Sequence, residues 1–376
     1  MLNDIGTNEH YLLHLLSCAL EGSASSEKPE GVSWEEVFRQ AKRHCVANMA
    51  CYGVDILHGK PDERLWKQWK EVRNKAVVKD VTLTAELRRI CSLFADNGIR
   101  CLPIKGSRMK ELYPRTDMRL MADLDIMIDE DNASKVRELL TADGFVCEYF
   151  GTSHHDIYKK YPIINVEIHR TLMPEQMEGI REYYEDGFSH AEPIPGNAFV
   201  YEMPAEEFYA YHIAHLYKHY EASGSGIRSF MDIYLIRKKY GDSWDEGKVA
   251  DILDGLGLAE FDSNMREVAE YWFGKAEPTK RCLENEKYIL DSGTYGTIKH
   301  SVENQIARKG RWGYFWSRAF LPYDLMVSQF QVLKILPVLL PVCWVLRLLS
   351  AFIFKHDRVM YQLKAVFAAS KPEKKS

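Results

Sequence analysis

Apolar residues recur at helical spacing over the first ninety or so positions. Tyr11, Leu12, Leu15, Leu16 and Ala19 mark one helix, and a Gly/Ser/Pro-rich stretch at 22–31 ends it. Ser33 with Glu36 reads as a capping box opening a second helix through Trp34, Val37 and Ala41. A long charged helix over about 65–97 carries Leu83, Leu87, Ile90 and Phe94 on one face. The pattern changes at Gly98. Residues 99–104 are short, apolar and bounded by Gly98 and Gly106, as a buried strand is. Residues 123–128 then read as a strand, 133–142 as a helix, 145–150 as a strand and 163–169 as another, with a polar strand after His155. From Ala205 the spacing is helical again through Phe208, Tyr211, Ile213, Leu216 and Tyr217. A loop at 223–226 and a helix with Phe230, Ile233, Tyr234 and Ile236 follow. The pattern predicts a helical region at 1–95, an α/β core at 96–202, a helical lobe at 203–300 and a hydrophobic helical tail at 301–376.

The tail contains an apolar run, 335–354, about as long as a membrane span. Pro337, Pro341 and Arg347 interrupt it, and an arginine near the middle costs roughly 2.5–3.5 kcal/mol on the insertion scale. A true span is therefore disfavoured. An interfacial helix, or a helix packed on the protein, accounts for the same residues with Lys355, His356 and Arg358 at the polar edge, and packing is the ordinary reading.

A chain of 376 residues, 46% hydrophobic and 27% charged, is globular and long enough for two or three lobes, which excludes whole-chain disorder. The net charge of -5 offers no footprint for coating nucleic acid, so no stable nucleic-acid binding is expected. Eight cysteines form no C-x-x-C pair, which argues against a zinc module. Residues 1–22 place Asp4, Glu9 and His10 where a signal segment has a basic and then an apolar stretch. Reduced thiols and a cytoplasmic location are expected.

The chemistry concentrates in the α/β core, where Lys105-Gly106-Ser107 follows a predicted strand, Asp123 and Asp125 lie on the next, and Glu167 on a later one. Strand side chains alternate, so the two aspartates project to one side while Leu124, Ile126 and Ile128 face the core. Two carboxylates side by side make a hard-cation site, and Glu167 completes it if the two strands are neighbours. Magnesium prefers such oxygens and keeps positions open for phosphates. A metal pair stabilises both the attacking and the leaving oxygen in phosphoryl transfer. The Gly106-Ser107 turn lets backbone N–H groups approach a phosphate at the start of a helix, Ser107 adds a hydroxyl, and Lys105 and Arg119 are near enough in sequence to hold nucleotide oxygens. Each piece alone is ordinary; their joint order points to a metal–phosphate site.

These residues resemble the nucleotidyltransferase superfamily with the DNA polymerase beta-like fold, and more closely the largely uncharacterised bacterial nucleotidyltransferase family. The likeness runs through 102–107, 119–126, His155 and 166–169, then through His212, His215 and 226–232, and into the tail at 320–323 and 337–347. It implies an α+β fold, a small mixed sheet flanked by N- and C-terminal helical regions. It implies Asp123, Asp125 and Glu167 as ligands of Mg2+, two ions or their Mn2+ equivalents, with Gly106 and Ser107 on the phosphates. His155 is placed near the cleft and His169 on the Glu167 face. Two departures stand out: sixteen residues separate Ser107 from Asp123, and Arg170 stands where an aromatic residue is expected.

His212, His215 and His219 repeat at i, i+3 and i+7, which fits a packed helix interface first, a substrate contact second and a zinc site third. Arg228 and Asp232 are four apart, so an intrahelical ion pair is the ordinary reading, and holding the helical lobe against the active site is the sharper one. The leading function is a metal-dependent transferase that takes an NTP donor, passes its nucleoside monophosphate to an acceptor hydroxyl or phosphate and releases pyrophosphate. A glycosyltransferase using a nucleotide-sugar through the same carboxylates is the alternative, and a non-catalytic nucleotide- or partner-binding protein a third. The apolar tail motivates a membrane-proximal or lipid-linked acceptor, with peripheral contact through 313–354.

Overall fold

Five strands form a mixed sheet in the order β1 (Cys101–Pro103), β2 (Leu124–Ile128), β5 (Ile164–His169), β4 (His155–Lys160), β3 (Val146–Tyr149). β2 and β5 run parallel, and the other neighbouring pairs are antiparallel. The computed structural model describes residues 8–23, 26–151, 153–294 and 298–354, so Lys355, His356 and Arg358 lie outside the described residues. Alternation along the strands puts Leu124, Ile126, Ile128, Val166 and Ile168 on one face. There they pack against Leu83, Ile90 and Phe94 of α4 (Glu63–Asp96) and Val136 and Leu140 of α6 (Ala133–Ala142). Each such side chain contributes about 1.5–3 kcal/mol on burial, and a one-residue slip would turn all of them outward. The opposite face carries the polar residues.

Three helices precede α4: α1 (Asn8–Glu21), α2 (Trp34–Arg43) and α3 (Ala47–Asp55). The expected capping box is half formed. Ser33 Oγ accepts from the Glu36 N–H at 3.3 Å, but the Glu36 carboxylate turns to Arg39 and Gln40. The Ser33 N–H donates instead to Asn8 Oδ1 at 2.8 Å, because α1 brings a better-placed acceptor.

After β1 the chain makes a single turn, α5 (Gly106–Met109), followed by 3-10 turns at Lys110–Leu112 and Thr116–Met118. The long spacer before Asp123 is an anchored segment. Lys110 Nζ donates to Asp80 at 2.7 Å and the Thr116 hydroxyl to the same carboxylate at 2.6 Å. Asn48 Nδ2 reaches the carbonyls of Asp117 and Met118 at 2.7 and 2.9 Å. Beyond β5, α7 (Glu178–Tyr183) leads to the hairpin β6 (Glu192–Pro193) and β7 (Tyr201–Glu202). Its approach covers the β1 edge, with the Cys101 N–H donating to the Phe199 carbonyl at 2.8 Å. Gly187 in this stretch crosses Met127 so closely that a Cβ would stand 2.4 Å from the Met127 sulfur. Helices α8 (Ala205–Ser223), α9 (Ile227–Tyr240), α10 (Glu246–Gly255), α11 (Ala259–Phe273) and α12 (Lys280–Ser292) follow.

The chain divides into two compact units, residues 1–218 with 226–294, and residues 219–225 with 295–376. The second unit contains α13 (Ile298–Ala319), broken at Gly310 (φ 70°), α14 (Tyr323–Gln329), 3-10 turns at Gln331–Lys334 and Pro337–Leu339, and α15 (Leu340–Phe354). The apolar run 335–354 is thus divided near its prolines. The 15 residues of α15 span about 22 Å, short of the roughly 30 Å of a bilayer core. No described helix is long and apolar enough to cross a membrane. Cys343 joins Met326 and Leu333 in a small core with Trp344 against it. Val342, Val345, Leu346 and Leu349 stay about half exposed, while Ile335 and Val338 are 81% and 79% exposed. The expectation that this run packs on the protein holds for one side of α15 only.

Candidate active site

The parallel register of β2 and β5 sets Asp125 directly beside Glu167 and Met127 beside His169. On the other flank of β5, the antiparallel register sets His155 of β4 beside His169. Asp125, Glu167, His169 and His155 therefore form one patch across three strands, on the face away from the core, with Asp123 immediately before β2. Asp125 and His169 are buried, 6% and 1% exposed, whereas Asp123, Glu167 and His155 stay partly exposed. Donor atoms of Asp125, Glu167 and His169 lie within 4.8 Å of one another. Lys105 Nζ donates to Asp125 Oδ1 at 2.6 Å. His169 Nε2 meets the same oxygen at 2.8 Å and lies 3.6 Å from Glu167 Oε2, and His155 Nε2 lies 3.7 Å from that glutamate oxygen.

Burial, reinforced by the charges of Asp125 and Glu167, pushes the Asp123 carboxyl up to about 6. Burial would do the same to Asp125, but the Lys105 ammonium and His169 outweigh it and hold that group well below the usual carboxylate range. His169 likewise keeps Glu167 low. Burial and the neighbouring His169 drive His154 down to about 3, and burial lowers His155, so these imidazoles are neutral near pH 7. Two carboxylates and one imidazole, Asp125, Glu167 and His169, are close enough to share a divalent cation; Asp123, whose carboxyl burial and the charges of the other two raise, stands outside that group.

The phosphate-turn residues sit against this patch. Lys105 adopts φ 55°, left-handed backbone that an L side chain seldom enters. At Gly106 a Cβ would stand 3.0 Å from both Arg119 Nη1 and Met121 Cγ, so a side chain there would press on both of those side chains. Ser107 is buried, and its hydroxyl has no hydrogen-bond partner, a donor suited to an incoming phosphate oxygen. With α5 only four residues long, the helix end adds less to anion binding than the sequence pattern suggests.

Arg119 and three residues of the helical lobe form a separate buried cluster. Arg119 donates to Asp232 through Nε at 2.9 Å and Nη2 at 2.8 Å, and the Tyr113 hydroxyl reaches the same carboxylate at 2.7 Å. The intrahelical Arg228–Asp232 pair does not form. Asp232 takes the bidentate arginine from the loop, and Arg228 Nη1 donates to the Leu120 carbonyl at 2.9 Å. His212 is turned into this cluster, 3.4 Å from the Ser229 carbonyl. These contacts clamp residues 119–120 to α9, one short step before Asp123. Arg170 is engaged elsewhere, with Nη2 2.7 Å from both oxygens of the fully buried Asp156.

A family model described as "Uncharacterised nucleotidyltransferase" matches residues 30–274, about two-thirds of the chain, including every residue of the carboxylate patch and the phosphate turn. The chain belongs to that family. No curated protein and no solved structure matches it. The match to the nucleotidyltransferase family ends before the tail, so the likenesses at 320–323 and 337–347 fall outside it.

The helix α8 sends two further residues toward the site of this family member, Tyr211, which helical spacing assigns to the core, and Lys218, which sequence reasoning passed over. Tyr211 is buried with its hydroxyl unpartnered, and burial raises that phenol well above its ordinary range while the charges of Lys105 and Asp125 act on it in opposite directions. Lys218 is lowered to about 8 by burial and by the charge of Lys105. The signal was present: 211, 215 and 218 share a helical face, whereas the 212/215/219 series includes His212, which faces α9. The described groups close enough to share one ion are Asp125/Glu167/His169 and His154/His155/His169, and neither includes His212 or His215.

Proposed function

We propose that this member of the nucleotidyltransferase family moves a nucleoside monophosphate from an NTP to an acceptor hydroxyl or phosphate and releases pyrophosphate. The observation that carries this reading is the cross-strand pair Asp125–Glu167, with Asp123 one step ahead, set against a turn whose buried Ser107 hydroxyl lacks a partner. Asp123, Asp125 and Glu167 would hold Mg2+, two ions by preference, with Mn2+ as a substitute. When bound, the ions neutralise the triphosphate and stabilise the entering and leaving oxygens. The chain's own groups do the rest. Ser107 and the Gly106 backbone orient the phosphates, Lys105 and Lys218 supply positive charge along them, and Arg119 holds the turn from behind. Glu167, steadied by His155 and His169, faces the acceptor. Positioning and fixed charge carry such a reaction.

Calorimetric titration of each NTP with Mg2+ and with EDTA tests it, repeated on Asp123→Asn/Asp125→Asn. Metal-dependent binding in the wild type, weakened more than ~10–100-fold in the double variant, is the expected result. Absence of metal-dependent binding to any NTP, or preference for a nucleotide-sugar, would overturn it.

The second unit favours a membrane-proximal or lipid-linked acceptor. Residues 298–376 carry thirteen Lys and Arg against four Asp and Glu, whereas the whole chain carries 49 against 54. Exposed Trp312, Trp316, Phe320, Ile335 and Val338 accompany that charge. Aromatic and aliphatic side chains among cations suit the interface of an anionic bilayer.

A further inference from the structure

The three imidazoles beside the carboxylates have a pattern of their own. In His169, Nε2 meets Asp125 Oδ1 at 2.8 Å. A carboxylate only accepts, so this nitrogen donates, and Nδ1 is left for another partner. That Nδ1 is buried without a hydrogen-bond partner in a residue 1% exposed. In His155, Nε2 faces Glu167 Oε2 at 3.7 Å, and in His154, Nδ1 meets the Ser153 hydroxyl at 3.1 Å. Each ring thus has one nitrogen directed to an oxygen and a second directed elsewhere.

The second nitrogens of His154 and His155, Nε2 and Nδ1, meet each other in a hydrogen bond of 3.2 Å, which a bound ion would replace. Two nitrogens bound ~2.1 Å from a tetrahedral ion stand about 3.4 Å apart. One donor from each of the three rings lies within 4.8 Å of the others. An imidazole with an oxygen partner on its far nitrogen is the usual outer support of a metal ligand.

We propose that His154, His155 and His169 form a second cation site, distinct in chemistry from the carboxylate site, which takes a transition-metal ion of the Zn2+ class and leaves one coordination position open. Imidazole nitrogens select Zn2+, Co2+ or Ni2+ over Mg2+. Asp125 and Glu167 then serve two sites at once, as oxygen ligands on one side and as outer partners of the histidines on the other. The open position marks a place for an oxygen ligand, water or an acceptor hydroxyl, beside Glu167.

Co2+ is the probe, added to the full-length chain, with visible ligand-field absorption as the readout and Mg2+-dependent NTP binding measured in parallel. One equivalent of Co2+ is expected to give the intense bands of a four-coordinate nitrogen site. His155→Ala and His154→Ala should weaken Co2+ binding by more than ~10–100-fold, the loss typical of an outer partner alone, while Asp123→Asn keeps the bands. If His155→Ala does not fold, His154→Ala, at a partly exposed position, carries the same comparison. Absence of bands in the wild type, or bands unchanged in both histidine variants, would overturn the site. Either result leaves the NTP titration to decide nucleotidyl transfer separately.

Discussion

Lys105 is held at φ 55°, a backbone state that costs a residue with a Cβ of order 1–3 kcal/mol, and its ammonium sits 2.6 Å from Asp125. The strain is tolerated where the charge is needed. Asp123 shows the opposite balance, since its carboxyl moves from an ordinary 3.8 to about 6. A group raised in this way adds stability that is complete below about 3.8 and is lost as pH rises through about 6. Keeping Asp123 ionised at neutral pH therefore costs the metal-free protein roughly 2–3 kcal/mol. In EDTA, Asp123→Asn should melt above the wild type at pH 8, and its advantage should shrink through pH 6 and vanish near pH 4. An advantage independent of pH would point to another cause. At this scale the motif residues were legible because their types and order are chemical. The positive φ of Lys105 and the orphaned hydroxyl of Ser107 were not, since both arise from tertiary packing around a local sequence that also suits an ordinary turn.

Between elements, the Arg119–Asp232 pair joins the segment ahead of β2 to α9, with Asp232 1% exposed. Removing one partner of such a pair leaves a buried charge alone and costs about 3–5 kcal/mol. Asp232→Ala is expected to lose about that much in urea unfolding, whereas Arg119→Met/Asp232→Leu should regain most of it. A loss in the double variant equal to the sum of the two single losses would show that the pair does not act as a unit. The sequence could not assign this partner. Helical spacing offered Asp232 an arginine four residues away, and the true partner comes from 113 positions earlier in the chain. The strands of the sheet and the helices that the sequence bounded were readable to within about two residues, because alternation and 3.6-residue spacing are local, whereas α3, the β6–β7 hairpin and α10 to α12 carried no reading of their own. The pairing of β2 with β5 was readable only as a condition, and Lys218 of α8 was missed because the polar residues of that helix suggested a neighbouring face.

For the whole molecule, the contrast between an acidic chain and a basic, apolar-surfaced second unit makes membrane contact measurable. Vesicles containing anionic lipid should carry the full-length protein on flotation, neutral vesicles should carry much less, and raised salt should release it. Replacing Ile335 and Val338, both about four-fifths exposed, with Asp should weaken flotation without lowering thermal stability. Failure to float with anionic vesicles at low salt would remove the membrane from the account. In the first unit, β3, β4 and β5 are successive antiparallel neighbours, but β2 and β5 are separated by residues 129–163. A parallel seam of that span closes against a larger loop entropy than a hairpin does. A folding intermediate with the β3–β4–β5 meander complete and the seam open would keep Asp125 and Glu167 on separate pieces. Ligand capture during refolding would then time the closing of that seam, and a bound cation would slow its reopening.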